Sequence, residues 1–118
     1  MKLSEIKELL NAEVLSGHQF LDREVTNAFA ADLMSDVLAF VDERTLLLTG
    51  LTNPHTIRTA EMMDIHSIVF VRGKRPDEAT IRMAEENDIV TLTTGNIMFV
   101  ASGILFSKGL RGANIIHK

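Results

Sequence analysis

Short apolar runs alternate with amphipathic segments through the central half of the chain. The runs at 46–48, 67–71 and 89–92 are short and apolar, as expected for strands that are covered on both faces. The amphipathic segments that follow them lie at 54–63, 76–87 and 97–108. Strand, loop and helix thus occur three times, at spacings of about 22 residues, which predicts a parallel sheet with right-handed crossovers.

The N-terminal third gives shorter and more mixed signals. Its pattern predicts two helices, one over Glu5–Leu10 that Ser4 caps and one over 33–40 that Asp32 caps. Between them it predicts strands at Glu13–Leu15 and Val25–Ala31. We therefore expect a three-layer α/β domain with a mostly parallel sheet and helices on both faces. The domain is expected to span residues 1–111, followed by a loose C-terminal tail over 112–118 without a pairing partner.

Local signals indicate where the central helices begin and where the last one ends. Pro54 suits the first position of a helix, with Asn53 as its cap. Pro76 is expected to open the second helix, and Gly109 is expected to end the last one.

Composition excludes several classes of protein. With no cysteine, the chain has no disulfide framework, thiolate zinc site or cysteine nucleophile. A net charge of −4 argues against a dedicated nucleic-acid binder. No apolar run is long enough to span a bilayer and the N-terminus has no signal-peptide core, so we expect a cytoplasmic protein without a membrane partner.

A catalytic site is not apparent in the sequence. His18, His55, His66 and His117 lie on separate segments without metal-binding spacing, and no Gly-x-Ser-x-Gly motif occurs. Asp32 and Asp36 fall one helical turn apart and can face a cleft, but a cap and a solvated side chain explain them more simply. We expect no catalytic residue, no metal site, no cofactor and no enzymatic activity.

The three loops that follow the central strands carry glycines beside hydroxyl, amide or basic groups. Parallel strands place such loops at one edge of the sheet, where helix N-termini favour phosphate or carboxylate. The N–H groups after Gly50 and Gly95 are expected to face one anion. Plain turn and cap chemistry explains the glycine, threonine and asparagine positions of these loops more simply. The candidate ligand-binding residues are Thr49, Gly50, Thr52, Asn53, Arg58, Arg72, Gly73, Lys74, Thr94, Gly95 and Asn96.

The last predicted helix is apolar nearly all round between Ile97 and Phe106. A helix of this kind is buried on more than one side, and Gly103 would allow another helix to approach closely. A homodimer contact is the favoured interpretation, and a central position within the monomer is the alternative.

Two stretches of the central half resemble the DRTGG domain family. They are Thr49–Glu61, TGLTNPHTIRTAE, and Ser67–Asp77, SIVFVRGKRPD. The opening Ser4–Leu15 and the alanine-rich Asn27–Asp32 fit the same family, so the resemblance covers roughly residues 1–110. The family's Asp-Arg pair corresponds here to Thr52-Asn53 and its Thr-Gly-Gly stretch to Arg72-Gly73-Lys74, so this sequence keeps only the glycine at 73.

The resemblance implies a regulatory or assembly module of α/β fold that is often dimeric and has no known reaction of its own. Members of the family occur alone and as regulatory modules in phosphate acetyltransferases and in pyrophosphatases with nucleotide-sensing CBS domains. The N-terminal domain of HPr kinase/phosphorylase is similar in fold. We therefore expect a cytoplasmic, dimeric regulatory module for a partner enzyme, binding a small anionic effector such as a nucleotide. The alternative is a protein-interaction subunit of a larger enzyme, without a small-molecule ligand.

Overall fold

The structure, a computed structural model, describes residues 1–32 and 41–113. The helix predicted over 33–40, Asp36 within it, and residues 114–118 of the predicted tail lie outside the described residues.

One six-stranded sheet organises the described residues. Its strand order is β1-β5-β4-β3-β2-β6, with β1 antiparallel to β5 and every other neighbouring pair parallel. In chain order the elements are α1 (Leu3–Leu9), β1 (Glu13–Ser16), a 3-10 turn (His18–Phe20), β2 (Asn27–Ala30), β3 (Thr45–Thr49), α2 (Pro54–Met62), β4 (Ser67–Phe70), α3 (Glu78–Glu86), β5 (Val90–Thr93), α4 (Met98–Ser107) and β6 (Arg111–Gly112).

Helices cover both faces of the sheet, which confirms the predicted α/β class. On one face, α1 and α4 pack against alternate residues of the central strands, including Leu46, Leu48 and Val69. On the other face, α2 and α3 pack against the residues between them, including Leu47 and Ile68. All residues of β3, β4 and β5 are buried, because each of these strands has helices on both sides.

Helix starts agree with the sequence for α2 but not for α1 or α3. Asn53 caps α2 as predicted, since its Oδ1 accepts from the Thr56 N–H at 3.2 Å, and Pro54 is the first helical residue. α3 begins at Glu78 and not at Pro76, because Asp77 caps it with a carboxylate that accepts from the Thr80 N–H at 2.9 Å. The predicted Ser4 cap is also wrong.

The start of α1 lies earlier than the sequence pattern suggests. Its cap is Lys2, whose N–H donates to Glu5 Oε1 at 3.0 Å, so a glutamate reaching back satisfies the first turn.

The first residues of the predicted tail belong to the sheet instead. Gly109, with φ of 107°, ends α4 as expected, and the next residue, Leu110, is buried. Gly112 pairs with Ala28 of β2, and the Ala113 N–H donates to the Ala28 carbonyl at 2.8 Å. Since β6 has only two residues, its sequence carries no period that could have predicted it.

The longest helix in residues 1–32 and 41–113 has ten residues, half of what a bilayer crossing requires, and none could span a membrane.

Candidate functional site

The loops after β3, β4 and β5 meet at one edge of the sheet, as the sequence predicts. We call them the β3 loop (50–53), the β4 loop (71–77) and the β5 loop (94–97), and the edge they form the carboxyl edge. Parallel pairing aligns the strand ends, with Thr49 beside Phe70 and Phe70 beside Thr93. Backbone hydrogen bonds join the loops, because the Arg72 N–H donates to the Asn96 carbonyl and the Gly73 N–H to the Thr94 carbonyl, both at 2.8 Å.

The β4 loop begins with a tight turn that directs Arg72 across the edge. Arg72 and Gly73 both have positive φ, 60° and 67°, and the Lys74 N–H donates to the Val71 carbonyl at 3.1 Å. This combination is typical of a type I′ turn, in which glycine is common. A left-handed arginine is strained by roughly 1–2 kcal/mol, so the rest of the loop holds it in place.

Gly50 lets the Arg72 side chain lie against the neighbouring β3 loop. A methyl group on Gly50 would lie only 2.8 Å from Nη2 of Arg72 and 3.4 Å from Oδ1 of Asp32. The absence of a side chain at Gly50 therefore allows the close approach of an arginine and an aspartate from two other segments.

Asp32 is the site residue that the sequence interpretation missed. Its Oδ1 accepts from the Gly50 N–H at 2.7 Å and from the Thr49 hydroxyl at 3.3 Å. The sequence pattern explained Asp32 as a helix cap, because an aspartate before a helical segment favours that role. The available signal was its position just after β2, which places it at the same edge as β3.

The two N–H groups predicted to face an anion are already engaged, so that expectation is wrong. The N–H of Leu51, after Gly50, donates to the Thr49 hydroxyl at 3.2 Å. The N–H of Asn96, after Gly95, donates to the Thr94 hydroxyl at 3.3 Å. Both groups close short turns within their own loops.

Three of the candidate side chains serve the fold. The Thr94 hydroxyl and the Asn96 side-chain amide both donate to the Leu10 carbonyl, at 2.7 Å and 3.1 Å. They fasten the β5 loop to the end of α1, and Asn53 is occupied by capping α2.

The remaining candidates lie at the surface of the edge. Thr52 is half-buried, and Gly95 and Arg58 are exposed. Within residues 1–32 and 41–113, no hydrogen bond or ion pair links Arg58 to the three loops.

Charges on the β4 loop divide into a paired arginine and two cations without an ion pair. Arg75 binds Glu13 through two hydrogen bonds, at 2.8 Å and 3.1 Å. The hydrogen bond and charge of Arg75 hold the pKa of Glu13 below its ordinary value. Arg72 and Lys74 are exposed and form no ion pair with acidic groups of the described residues. The edge thus offers two positive groups to a ligand.

Metal binding has no support in residues 1–32 and 41–113, which contain no cluster of three histidine, aspartate or glutamate side chains able to hold an ion.

Comparison with known families identifies the domain. The model of the DRTGG domain family matches residues 5–105. This chain belongs to the DRTGG domain family. Curated protein sequences gave no significant match.

A solved structure shows the same fold. The domain is similar to the crystal structure of the CBS and DRTGG domains from the regulatory region of Clostridium perfringens pyrophosphatase, which was determined with its activator, diadenosine tetraphosphate. The TM-score is 0.71 at 19% sequence identity, over 88% of this chain and 45% of that one. The present chain therefore spans less than half of that structure, and the likeness establishes the fold.

The DRTGG domain also exposes an apolar surface on α4. This surface, the α4 stripe, consists of Phe99, Val100, Gly103 and Phe106, which recur on one side of the helix. Phe99 is 83% exposed and Phe106 60% exposed. Arg111 lies 4.6 Å from the centre of the Phe106 ring, so a cation covers one end of the stripe.

Proposed function

We propose that this DRTGG domain is a non-catalytic cytoplasmic regulatory module that binds a small anionic effector at the carboxyl edge. The observation that carries the proposal is the contrast within the β4 loop, where Arg75 is paired with Glu13 while Arg72 and Lys74 have no ion pair in the described residues. Arg72 is held in a strained turn, and its exposed guanidinium lies against the open side of Gly50.

Phosphate is the anion that this arrangement suits best. A guanidinium group presents a planar set of donors that matches phosphate oxygens, and a neighbouring lysine adds a mobile charge. In a chain with a net charge of −4, Arg72 and Lys74 concentrate positive charge on one short loop, and neither forms an ion pair with the described residues. The pyrophosphatase relative binds a dinucleotide, which puts nucleotides first in a ligand screen.

The screen measures thermal stabilisation by nucleotides and phosphorylated metabolites. A ligand present at about 100 times its dissociation constant stabilises a folded domain by roughly 2.7 kcal/mol. We expect at least one nucleotide to raise Tm for the wild type and for Arg82→Ala, which removes an exposed arginine from α3. Arg72→Ala should abolish or strongly reduce that rise. A uniform lack of stabilisation across the screen would contradict effector binding.

We further propose that the module forms a homodimer through the α4 stripe. Phe99 and Phe106 would contribute roughly 300 Å² per protomer, a substantial part of the approximately 800 Å² that each partner buries in a standard interface. The helix from Met98 to Ser107 carries no charge, so Arg111 at the Phe106 end is the charged group at the stripe, and Gly103 leaves space between the rings.

A charge placed on the stripe tests the dimer. Phe99→Glu should give a monomer in light scattering at concentrations where the wild type is dimeric, because the glutamate would be buried without a partner. Ala79→Glu adds the same charge to the exposed surface of α3 and should leave the dimer intact. A wild type that is monomeric at high micromolar concentration would contradict the proposal.

The α4 stripe also supports the second candidate function, a subunit that binds a larger enzyme through this surface and takes no small ligand. Exposed aromatic side chains are common at the centre of protein interfaces. A monomeric wild type, together with no response in the ligand screen, would favour this alternative.

A further inference from the structure

Asp32 places a carboxylate at the donors that an anionic ligand would use. Its Oδ1 accepts hydrogen bonds from the Gly50 N–H, at 2.7 Å, and from the Thr49 hydroxyl, at 3.3 Å. A backbone N–H and a threonine hydroxyl beside an arginine are the groups from which phosphate sites are commonly built. In this structure the chain fills that position with its own negative charge.

The position of Arg72 supports the same interpretation. Its Nη2 and the Asp32 Oδ1 both lie against the vacant side of Gly50, yet the two side chains form no ion pair. Arg72 therefore stands next to an occupied donor set, and its guanidinium forms no ion pair with residues 1–32 and 41–113. A phosphate drawn to Arg72 would meet the Asp32 carboxylate before it could reach the Gly50 N–H.

We propose that Asp32 is an internal competitor that determines which anions the carboxyl edge binds. A ligand with a single weak charge leaves Asp32 in place and is rejected by its carboxylate. A ligand with adjacent phosphates, such as a nucleoside polyphosphate, carries enough charge to displace Asp32 and take the Gly50 and Thr49 donors while bound to Arg72. This inference rests on the proposed effector site and adds the residue that controls its selectivity.

The inference predicts that removal of Asp32 strengthens anion binding. Inorganic pyrophosphate is the probe, because it carries adjacent phosphates and no base or sugar. Asp32→Ala, which frees both donors, should bind pyrophosphate at least about tenfold more tightly than the wild type, since the competing charged hydrogen bond is lost. Asp32→Asn keeps an acceptor oxygen without the charge and should fall between the two. Calorimetric titration gives the three dissociation constants.

Two controls locate the effect. Asp22→Asn removes an exposed carboxylate beside Arg23 at the opposite end of the sheet, so it should leave the affinity within about twofold of the wild type. Arg72→Ala in the Asp32→Ala background should remove the gain in affinity.

A spectroscopic measurement tests the hydrogen bond separately from binding. Without ligand, the amide proton resonance of Gly50 should shift in Asp32→Ala and not in Asp22→Asn.

Each outcome separates this inference from the proposed function. If Asp32→Ala binds pyrophosphate no more tightly than the wild type, or if none of the variants binds it, the inference is overturned, whereas effector binding that depends on Arg72 could still stand. If Asp32→Ala binds and the wild type does not, the claim that adjacent phosphates displace Asp32 is overturned, and the proposed effector role of the wild type fails for such anions. Weaker binding by Asp32→Ala would make Asp32 a ligand contact and would also overturn the inference.

Discussion

The β4 and β5 loops lie side by side at the carboxyl edge, yet their polar groups are used in opposite ways. In the β5 loop, Thr94 and Asn96 direct their side chains inward to the Leu10 carbonyl, and Thr94 is 1% exposed. In the β4 loop, Arg72 and Lys74 direct their charges outward and form no ion pair with the described residues. The difference teaches that polar residues at neighbouring strand ends can serve either the buried interior or the surface, depending on whether a buried backbone carbonyl accepts from them.

The largest expected effect is on stability, from Thr94→Val. The change keeps the shape of the side chain but removes a buried hydroxyl that bonds Leu10, so the free energy of unfolding should fall by about 1–3 kcal/mol. Thr52→Val is the matched control, because the Thr52 hydroxyl has no hydrogen bond to the described residues. Urea denaturation measures both. Equal effects for the two variants would contradict a structural role for the β5 loop.

A smaller loss of stability is expected from Asn96→Ala. The Asn96 amide shares the Leu10 carbonyl with Thr94, so its removal leaves that carbonyl with one donor. The expected loss is about 0.5–1.5 kcal/mol, with no change in effector affinity beyond about twofold. A large loss of affinity without a loss of stability would move Asn96 into the binding site and break the contrast between the loops.

Gly50→Ala should affect binding and leave stability nearly unchanged. The new methyl group would push aside the Arg72 guanidinium, which is the flexible end of an exposed side chain, so the unfolding free energy should change by about 0.5 kcal/mol or less. Effector affinity should fall several-fold because the guanidinium loses its position. Urea denaturation and calorimetric titration separate the two effects. An unchanged affinity would show that the Arg72 position over Gly50 does not matter.

The smallest effect concerns Arg75 of the β4 loop, which pairs with Glu13. Arg75 lowers the pKa of Glu13, so the pair stabilises the domain fully above the ordinary glutamate value of 4.5. This contribution fades as the pH falls through the lowered pKa of folded Glu13. Glu13→Gln should therefore reduce Tm slightly at neutral pH and have less effect in acid. Melting curves of the wild type and Glu13→Gln from neutral to acidic pH measure the difference in Tm. A difference in Tm that grows toward acid would contradict the stabilising role of the Arg75–Glu13 pair.

The sequence predicted the central framework because its signals are local. Apolar runs gave β3, β4 and β5, and the Asn53-Pro54 pair gave the start of α2. It also placed the three loops at one edge, because parallel strands align their carboxyl ends.

The site itself depends on contacts that a local pattern does not contain. Asp32 reaches Gly50 across 18 positions of the sequence, and Thr94 reaches Leu10 across 84. A threonine that anchors a buried carbonyl and a threonine that binds a ligand look the same in a sequence. The two kinds of threonine differ only in where the hydroxyl points in the fold. The sequence alone therefore places Thr94 and Asn96 among the candidate ligand-binding residues, together with Arg72 and Lys74.

The most direct test of the effector proposal is the affinity and stability of Arg72→Ala. Calorimetric titration with the nucleotide that most stabilises the wild type should show a tenfold to hundredfold loss of affinity, about 1.5–3 kcal/mol for one charged hydrogen-bonding group. Urea denaturation of the same variant should give an unfolding free energy within about 0.5 kcal/mol of the wild type. An unchanged affinity, or a loss of affinity matched by a loss of stability, would contradict an effector site at the carboxyl edge.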